Sequence, residues 1–125
     1  MDALRRVHEA LVPEGILLDL MPFEARVPVE TLDEELGRLD AREFARDVLE
    51  TEAAVSRALR EGLYVLEREL RFDVLEHFES AARLLEEAGG WQGTRIPRSL
   101  QVRIEQHEPP FWVRQRLVLR RFRAA

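Results

Sequence analysis

Apolar side chains recur at helical spacing over the longest patterned stretch of the chain. From one apolar position to the next the step is four or seven residues, at Phe44, Val48, Val55, Leu59 and Leu63. This spacing places the apolar side chains on one stripe and predicts a helix of about six turns. Asp40 is suited to cap the beginning of this helix, and Gly62 is suited to end it.

Three shorter stretches also predict helices. The first begins at Asp2, a capping residue, and ends at Pro13. The second begins after Ser80 and stops at Gly89, and the third begins at Pro97, a residue that fits the first turn of a helix. The chain is therefore expected to contain about four helices.

The hydrophobic period changes to two between residues 66 and 78. One face of this stretch is apolar and carries Leu66, Leu70, Phe72, Val74 and Phe78. The other face is charged and carries Glu67, Glu69, Arg71 and Asp73. Alternation of this kind predicts a long, half-exposed strand over residues 66–76.

Two further segments have the character of strands. Residues 16–20 are apolar on both faces, which is typical of a strand covered on both sides of a sheet. Residues 111–122 predict the last strand, with its centre at 112–121. Residues 22–40 are rich in Pro, Gly and acidic residues, and we expect a connection there with at most a short extended piece at 26–29.

These elements predict one domain over residues 1–125 with an α+β fold. We expect a small mixed sheet of three or four strands, packed with about four helices. A wholly helical fold is the main competitor, because residues 40–62 and 80–106 are strongly helical. The period-two stretch at 66–74 argues against that alternative.

Composition excludes several classes of protein. The chain has 125 residues and no Cys, so disulfides and thiolate-ligated metals are excluded. Its apolar runs are far shorter than the roughly 18 residues that a membrane span needs, and its beginning does not resemble a secretory signal. We expect a cytoplasmic protein that does not bind a membrane.

Candidate catalytic and ligating residues lack the spacing that chemistry requires. The three His residues show no metal-ligand spacing and are expected to be structural or surface residues: His8, His77 and His107. The acidic group at 33–35 lacks the ligand spacing of a calcium loop, and no Ser lies in a Gly-x-Ser-x-Gly motif. Glycine-rich phosphate loops are also missing. We therefore predict no catalytic residue, no cofactor-binding residue and no metal ligand.

Charge is distributed unevenly along the chain. The formal net charge is -5, yet residues 91–125 carry a net charge of +6. Much of this positive charge lies in one series: Arg114, Arg116, Arg120, Arg121 and Arg123. A basic strand can bind nucleic acid, but the acidic balance of the whole chain favours an ion-paired or solvated face. We expect no nucleic-acid partner.

Residues 4–20, with the sequence LRRVHEALVPEGILLDL, resemble a segment of class I S-adenosylmethionine-dependent methyltransferases. The similarity is to the helix, the Pro-containing turn and the fifth strand of that family. The family has Leu-x-Pro-Gly-Gly before this strand, and here Glu14 stands in place of the first Gly. The order of the later predicted elements is similar to the end of the family's domain.

The resemblance implies that the chain corresponds to the C-terminal half of such a domain. The family binds its cofactor through the other half, so no cofactor residue and no catalytic residue can be carried over. S-adenosylmethionine is expected to bind only if a partner chain supplies that half. The resemblance also implies the strand order 16–20, 112–121, 66–76, with the middle strand antiparallel to its neighbours.

Residues 16–20 form an edge of the sheet in this order. An uncovered apolar edge is a template for pairing, and Asp19 is the only charged residue in the segment. We therefore predict a partner interface at Ile16, Leu18 and Leu20, covered by a second copy of the chain or by another protein.

Two classes of function stay open. In the first, the chain is a non-catalytic, methyltransferase-like interaction or assembly module, expected to be a homodimer. In the second, it is the substrate-side half of a split S-adenosylmethionine-dependent methyltransferase that another chain completes. A fragment of a longer enzyme is a third alternative. The chain on its own is not expected to be an enzyme.

Overall fold

The computed structural model describes residues 3–125. In chain order its elements are α1 (Ala3–Ala10), β1 (Ile16–Pro22), β2 (Arg26–Glu30), β3 (Glu35–Asp40), α2 (Arg42–Arg60), β4 (Tyr64–Phe78), α3 (Ala81–Gly89), α4 (Arg98–Gln106) and β5 (Phe111–Ala124). These four helices and one five-stranded sheet confirm the α+β class. The sheet is antiparallel, whereas a mixed sheet of three or four strands was expected. Asp2, the predicted cap of α1, lies outside the described residues.

Strand β5 lies between β1 and β4. It pairs antiparallel with β1, so that Leu20 is opposite Leu119. Strand β4 also pairs with β5. Glu67 contacts Arg121 near one end of β4, and Asp73 contacts Arg114 further along, so the two strands run antiparallel. The predicted order of 16–20, 112–121 and 66–76 is therefore confirmed.

Residues 26–40 form a β-hairpin. The short extended piece expected at 26–29 is confirmed as β2, but the expectation that the rest of residues 22–40 is a connection was wrong, because residues 35–40 form β3. Strand β2 pairs with β3 along its length and with β5 at Val29, which is opposite Val113. The turn is closed by Thr31, whose backbone N–H donates to the carbonyl of Glu34 at 2.8 Å. The buried residues Leu36 and Leu39 are three positions apart. This short pattern lacks the period of two by which a strand is recognised in sequence.

The chain divides into two compact units. The first unit contains residues 3–22, residues 47–72 and residues 117–125. Its core consists of Val55, Ala58, Tyr64, Phe122 and Ala124. The hydroxyl of Tyr64 donates to the carbonyl of Leu4 at 2.7 Å, which ties β4 to α1. Two residues of the predicted apolar stripe of α2 contact this core: Val55 belongs to it and Leu59 packs against it.

The second unit contains residues 23–46 and 73–116. Its largest fully buried side chains include Phe111, Leu84 and Ile104, from β5, α3 and α4. The predicted cap of α3 is confirmed, because Ser80 Oγ accepts a hydrogen bond from the backbone N–H of Arg83 at 3.1 Å. Ser80 thus begins α3 where the sequence pattern placed it.

Asp40 acts at the beginning of α2, as its sequence position suggested. Its Oδ1 accepts a hydrogen bond from the backbone N–H of Arg42 at 3.1 Å, and its Oδ2 is 2.7 Å from the Arg42 guanidinium. These hydrogen bonds lower the pKa of Asp40 to about 2. The nearby turn requires a glycine, because a Cβ on Gly93 would lie 2.7 Å from the backbone nitrogen of Phe44.

Candidate functional site

Strand β1 has an open edge and an open face. Within residues 3–125 its one strand neighbour is β5. The exposed fractions of Ile16, Leu18 and Leu20 are 40%, 63% and 57%, while Met21 is buried and Leu17 is half-buried. The edge position is therefore confirmed, but the expectation that both faces are covered is wrong for the described chain. The core of the first unit covers one face of β1, where Leu17 packs. The other face, which carries the predicted interface residues, is in solvent.

Asp19 does not protect this edge with a free charge. Its carboxylate lies 2.7 Å from the guanidinium of Arg120, which also donates to both carboxylate oxygens of Glu52. Arg120 is almost fully buried, so Asp19 is turned toward the covered side of β1. The one charge within residues 16–20 is neutralised there, and apolar side chains occupy the open face.

Strand β4 is exposed along nearly all of its fifteen residues. Both of its ends are buried, at Tyr64 and Phe78, but every residue from 65 to 71 is exposed. The prediction of a half-exposed strand was too conservative, because the apolar face is in solvent as well. Five large apolar side chains of β4 are exposed by about half: Val65, Leu66, Leu70, Val74 and Leu75.

The basic series of β5 is ion-paired on both faces of the strand, with Arg120 on the covered side and Arg121 on the exposed side. Each of its five guanidiniums lies within 4.0 Å of at least one carboxylate, and the acidic partners are Glu14, Asp19, Glu24, Glu30, Glu52, Glu67 and Asp73. All of these acids come from residues 1–90, the acidic part of the sequence. The uneven charge along the chain is therefore brought together by the fold, and a phosphate would have to displace a carboxylate from each arginine.

Arg114 is the most strongly held member of this series. Its Nε lies 2.6 Å from Glu30 and its Nη1 lies 2.8 Å from Asp73. The hydrogen bonds with Glu30 and Asp73 raise its pKa above the ordinary arginine value. These contacts give Arg114 a structural role beside β2 and β4.

The three histidines also make contacts within the chain. The Nε2 of His8 lies 3.2 Å from the carbonyl oxygen of Ala125, and the two ring nitrogens of His107 contact the carbonyl of Arg103 and the carboxylate of Glu34. The ring of His77 lies 5.5 Å from that of Trp112. Within residues 3–125, no three His, Asp or Glu side chains are grouped as a metal site requires.

One small pocket lies beside the core of the first unit. It encloses a volume of about 10 Å³, room for about one water molecule, and is lined by apolar side chains that include Leu4, Leu17 and Leu59. Ligand sites usually enclose about 300–1,000 Å³ and present several polar groups. The exposed strands β1 and β4 are therefore better candidates for a functional surface than this pocket.

Comparison of the chain with protein-family models, curated proteins and solved structures finds no match. Among the helices of residues 3–125, none has the length and apolar character needed to cross a membrane.

Proposed function

We propose that this chain is a non-catalytic interaction module that acts as a homodimer, with β1 as the contact strand. The observation that carries the proposal is the exposure of Ile16, Leu18 and Leu20 on a strand with an open edge. Long apolar edges invite pairing with another chain unless charge, Pro or a covering segment blocks them. The carboxylate of Asp19 forms an ion pair with Arg120, so its charge does not block pairing at the edge of β1.

The sequence of β1 matches a second copy of itself. In an antiparallel pair with Leu18 on the two-fold axis, Leu18 faces Leu18 and Ile16 faces Leu20 of the other copy. Asp19 then faces Leu17, so no two like charges are opposed. A two-fold axis makes one self-complementary patch sufficient for a closed dimer. These features favour a second copy over an unrelated partner.

The absence of catalysis is proposed because the candidate chemical groups hold the fold together. The arginines of β5 bind carboxylates, and His8 and His107 contact backbone carbonyls. A methyltransferase-like scaffold is part of the proposal and is supported by the strand order. It is further supported by the backbone of Glu14, whose φ of 62° is the conformation that suits the Gly found there in that family. The proposal assigns the chain alone no cofactor.

Light scattering coupled to size-exclusion chromatography tests this function across a micromolar concentration series. Leu18→Glu places two carboxylates on the axis and removes two buried leucines, each worth roughly 1.5 kcal/mol or more. We expect at least a roughly 100-fold rise in the Kd of this contact. Leu32→Glu is the matched control, because Leu32 is an exposed leucine in the β2–β3 turn. A wild-type monomer at high micromolar concentration, or an unaffected Leu18→Glu variant, would refute the proposal.

A further inference from the structure

Strand β4 has the features of a second pairing edge. It is one uninterrupted strand from Tyr64 to Phe78, and it contains neither Pro nor Gly. Within residues 3–125 its one strand neighbour is β5, so its other edge carries no strand. Edge strands in natural proteins are usually short, interrupted by a β-bulge, or covered by another segment, and a strand as long as β4 is unusual at an open edge.

We propose that β4 pairs antiparallel with β4 of another copy, in the register that places Phe72 on the two-fold axis. This inference goes beyond the proposed function, which requires β1 alone. If β4 pairs in this way, the dimer formed through β1 associates further through β4 into tetramers or larger species.

The alternation of side chains along β4 limits the possible registers. Residues directly opposite each other in an antiparallel pair lie on the same face of the sheet. The even positions of β4 carry most of its apolar residues, among them Leu66, Leu70, Phe72 and Val74, whereas Val65 and Leu75 are at odd positions. Even positions therefore meet even positions when the axis passes through a residue, and a shift by one residue would oppose them to the odd positions, most of which are charged.

Charge then selects among these registers. An axis through a charged residue opposes two like charges, which disfavours Arg68, Glu69, Arg71 and Asp73. An axis through Leu70 opposes Glu67 to Asp73 twice, and an axis through Val74 pairs only residues 70–78. The axis through Phe72 pairs residues 66–78 without opposing like charges. Among the registers with an axis through a residue, it pairs the largest number of β4 residues without placing like charges opposite each other.

The Phe72 register also supplies a partner that the single chain lacks. It places Leu70 opposite Val74 and Arg68 opposite Glu76, each pair occurring twice. Arg68 forms no salt bridge with residues 3–125 of its own chain. Burial and the nearby carboxylate of Glu87 raise the pKa of Glu76, so a cation opposite Glu76 would relieve its local repulsion. This self-complementary charge pattern is the reason for assigning a second copy, rather than another protein, to the edge.

Disulfide trapping tests the register directly, because the chain contains no Cys. Phe72→Cys is made in the Leu18→Glu background, which removes the β1 contact. Opposed residues of an antiparallel pair have Cα atoms about 4.5–5.5 Å apart, which suits a disulfide. We expect Phe72→Cys to form a covalent dimer under mild oxidation and the control Leu70→Cys to stay monomeric. Crosslinking of Leu70→Cys in place of Phe72→Cys would overturn the register.

Charge reversal tests the same pairing without a covalent bond. In the Leu18→Glu background, Arg68→Glu opposes two carboxylates twice, and we expect the dimer Kd to rise about tenfold. The double variant Arg68→Glu/Glu76→Arg restores the opposed charges and should restore the dimer. Arg83→Glu is the matched control, because Arg83 is exposed on α3 and its substitution changes the net charge by the same amount as Arg68→Glu.

The two interfaces can fail separately. A Leu18→Glu variant that is monomeric at high micromolar concentration overturns pairing through β4, while the proposed function stands. A dimer that Arg68→Glu disrupts and Leu18→Glu does not disrupt supports β4 and refutes β1. Equal Kd values for Arg68→Glu and Arg83→Glu also overturn the β4 proposal.

Discussion

Replacing Arg120 with Met removes the charge at the centre of a buried ion-pair network. The side chain of Arg120 is 8% exposed, and its Nη2 lies 2.7 Å from Asp19. Its guanidinium also donates to both oxygens of Glu52 and lies 5.6 Å from the ring centroid of Phe122. Met keeps most of the aliphatic volume, so the substitution tests charge rather than packing.

The expected loss follows from the two carboxylates that would be left together. Removing one partner of a buried ion pair costs about 3–5 kcal/mol of unfolding free energy. Asp19 and Glu52 are 24% and 40% exposed, so water screens part of their repulsion. We therefore expect Arg120→Met to lose about 3 kcal/mol, near the lower end of this range.

Urea unfolding at pH 7 measures this loss, at one fixed protein concentration because the chain self-associates in our proposal. The matched control is Arg121→Met, because the side chain of Arg121 is 54% exposed and its Nε lies 3.3 Å from Glu67. Exposed pairs contribute about 0–1 kcal/mol, so this control should lose less than about 1 kcal/mol. A triple variant with Asp19→Asn and Glu52→Gln added to Arg120→Met should recover most of the lost stability.

Two results would refute this reasoning. If Arg120→Met and Arg121→Met lose equal stability, burial of Arg120 does not amplify its ion pairs. If the triple variant is no more stable than Arg120→Met, the loss comes from packing around the side chain and not from unpaired carboxylates.

Two further substitutions test local backbone and charge. Glu14→Gly should stabilise the fold by about 0.5–1 kcal/mol in urea unfolding, because Glu14 has a φ of 62° and its contact with Arg123 is long, at 3.9 Å; a loss of stability would show that this contact outweighs the backbone strain. Glu87→Gln should stabilise the fold near pH 7.5, because burial and, after it, the neighbouring Glu87 raise the pKa of Glu76 above its ordinary value of 4.5. A raised carboxyl pKa gives stability that is complete below pH 4.5 and is lost as the pH rises through the raised value. The gain from Glu87→Gln should therefore vanish below pH 4.5, and a gain independent of pH would contradict this origin.

Local sequence patterns were sufficient to predict the elements whose own residues show a clear spacing or capping motif. The apolar stripe through Val55 and Leu59 predicted α2, and the capping side chain of Ser80 predicted the beginning of α3. Strand β4 was predicted by strict alternation, although the prediction stopped short of its ends at Tyr64 and Phe78. Such signals depend on the spacing of neighbouring residues, which the sequence states directly.

The β2–β3 hairpin was missed because its stability comes from residues far away in sequence. Strand β2 pairs with β5 through Val113, and Leu36 is buried in the second core although its own strand is short and interrupted by charge. The exposure of β4 was underestimated for a related reason. Alternation shows that a strand has an apolar face, but only the packing of other elements decides whether that face is covered.

The candidate surface on β1 was likewise predicted in part from the sequence and decided in part by tertiary packing. The sequence by itself determined the apolar character of Ile16, Leu18 and Leu20 and their placement on a strand, and the family resemblance predicted that this strand lies at an edge of the sheet. Only the tertiary structure decided that these side chains lie on the uncovered face while Asp19 turns to Arg120, and that the basic end of the chain meets its acidic beginning. The ion pairs join residues far apart in sequence, up to 101 positions for Asp19 and Arg120, and strand register decides which residues meet. No local spacing encodes this register.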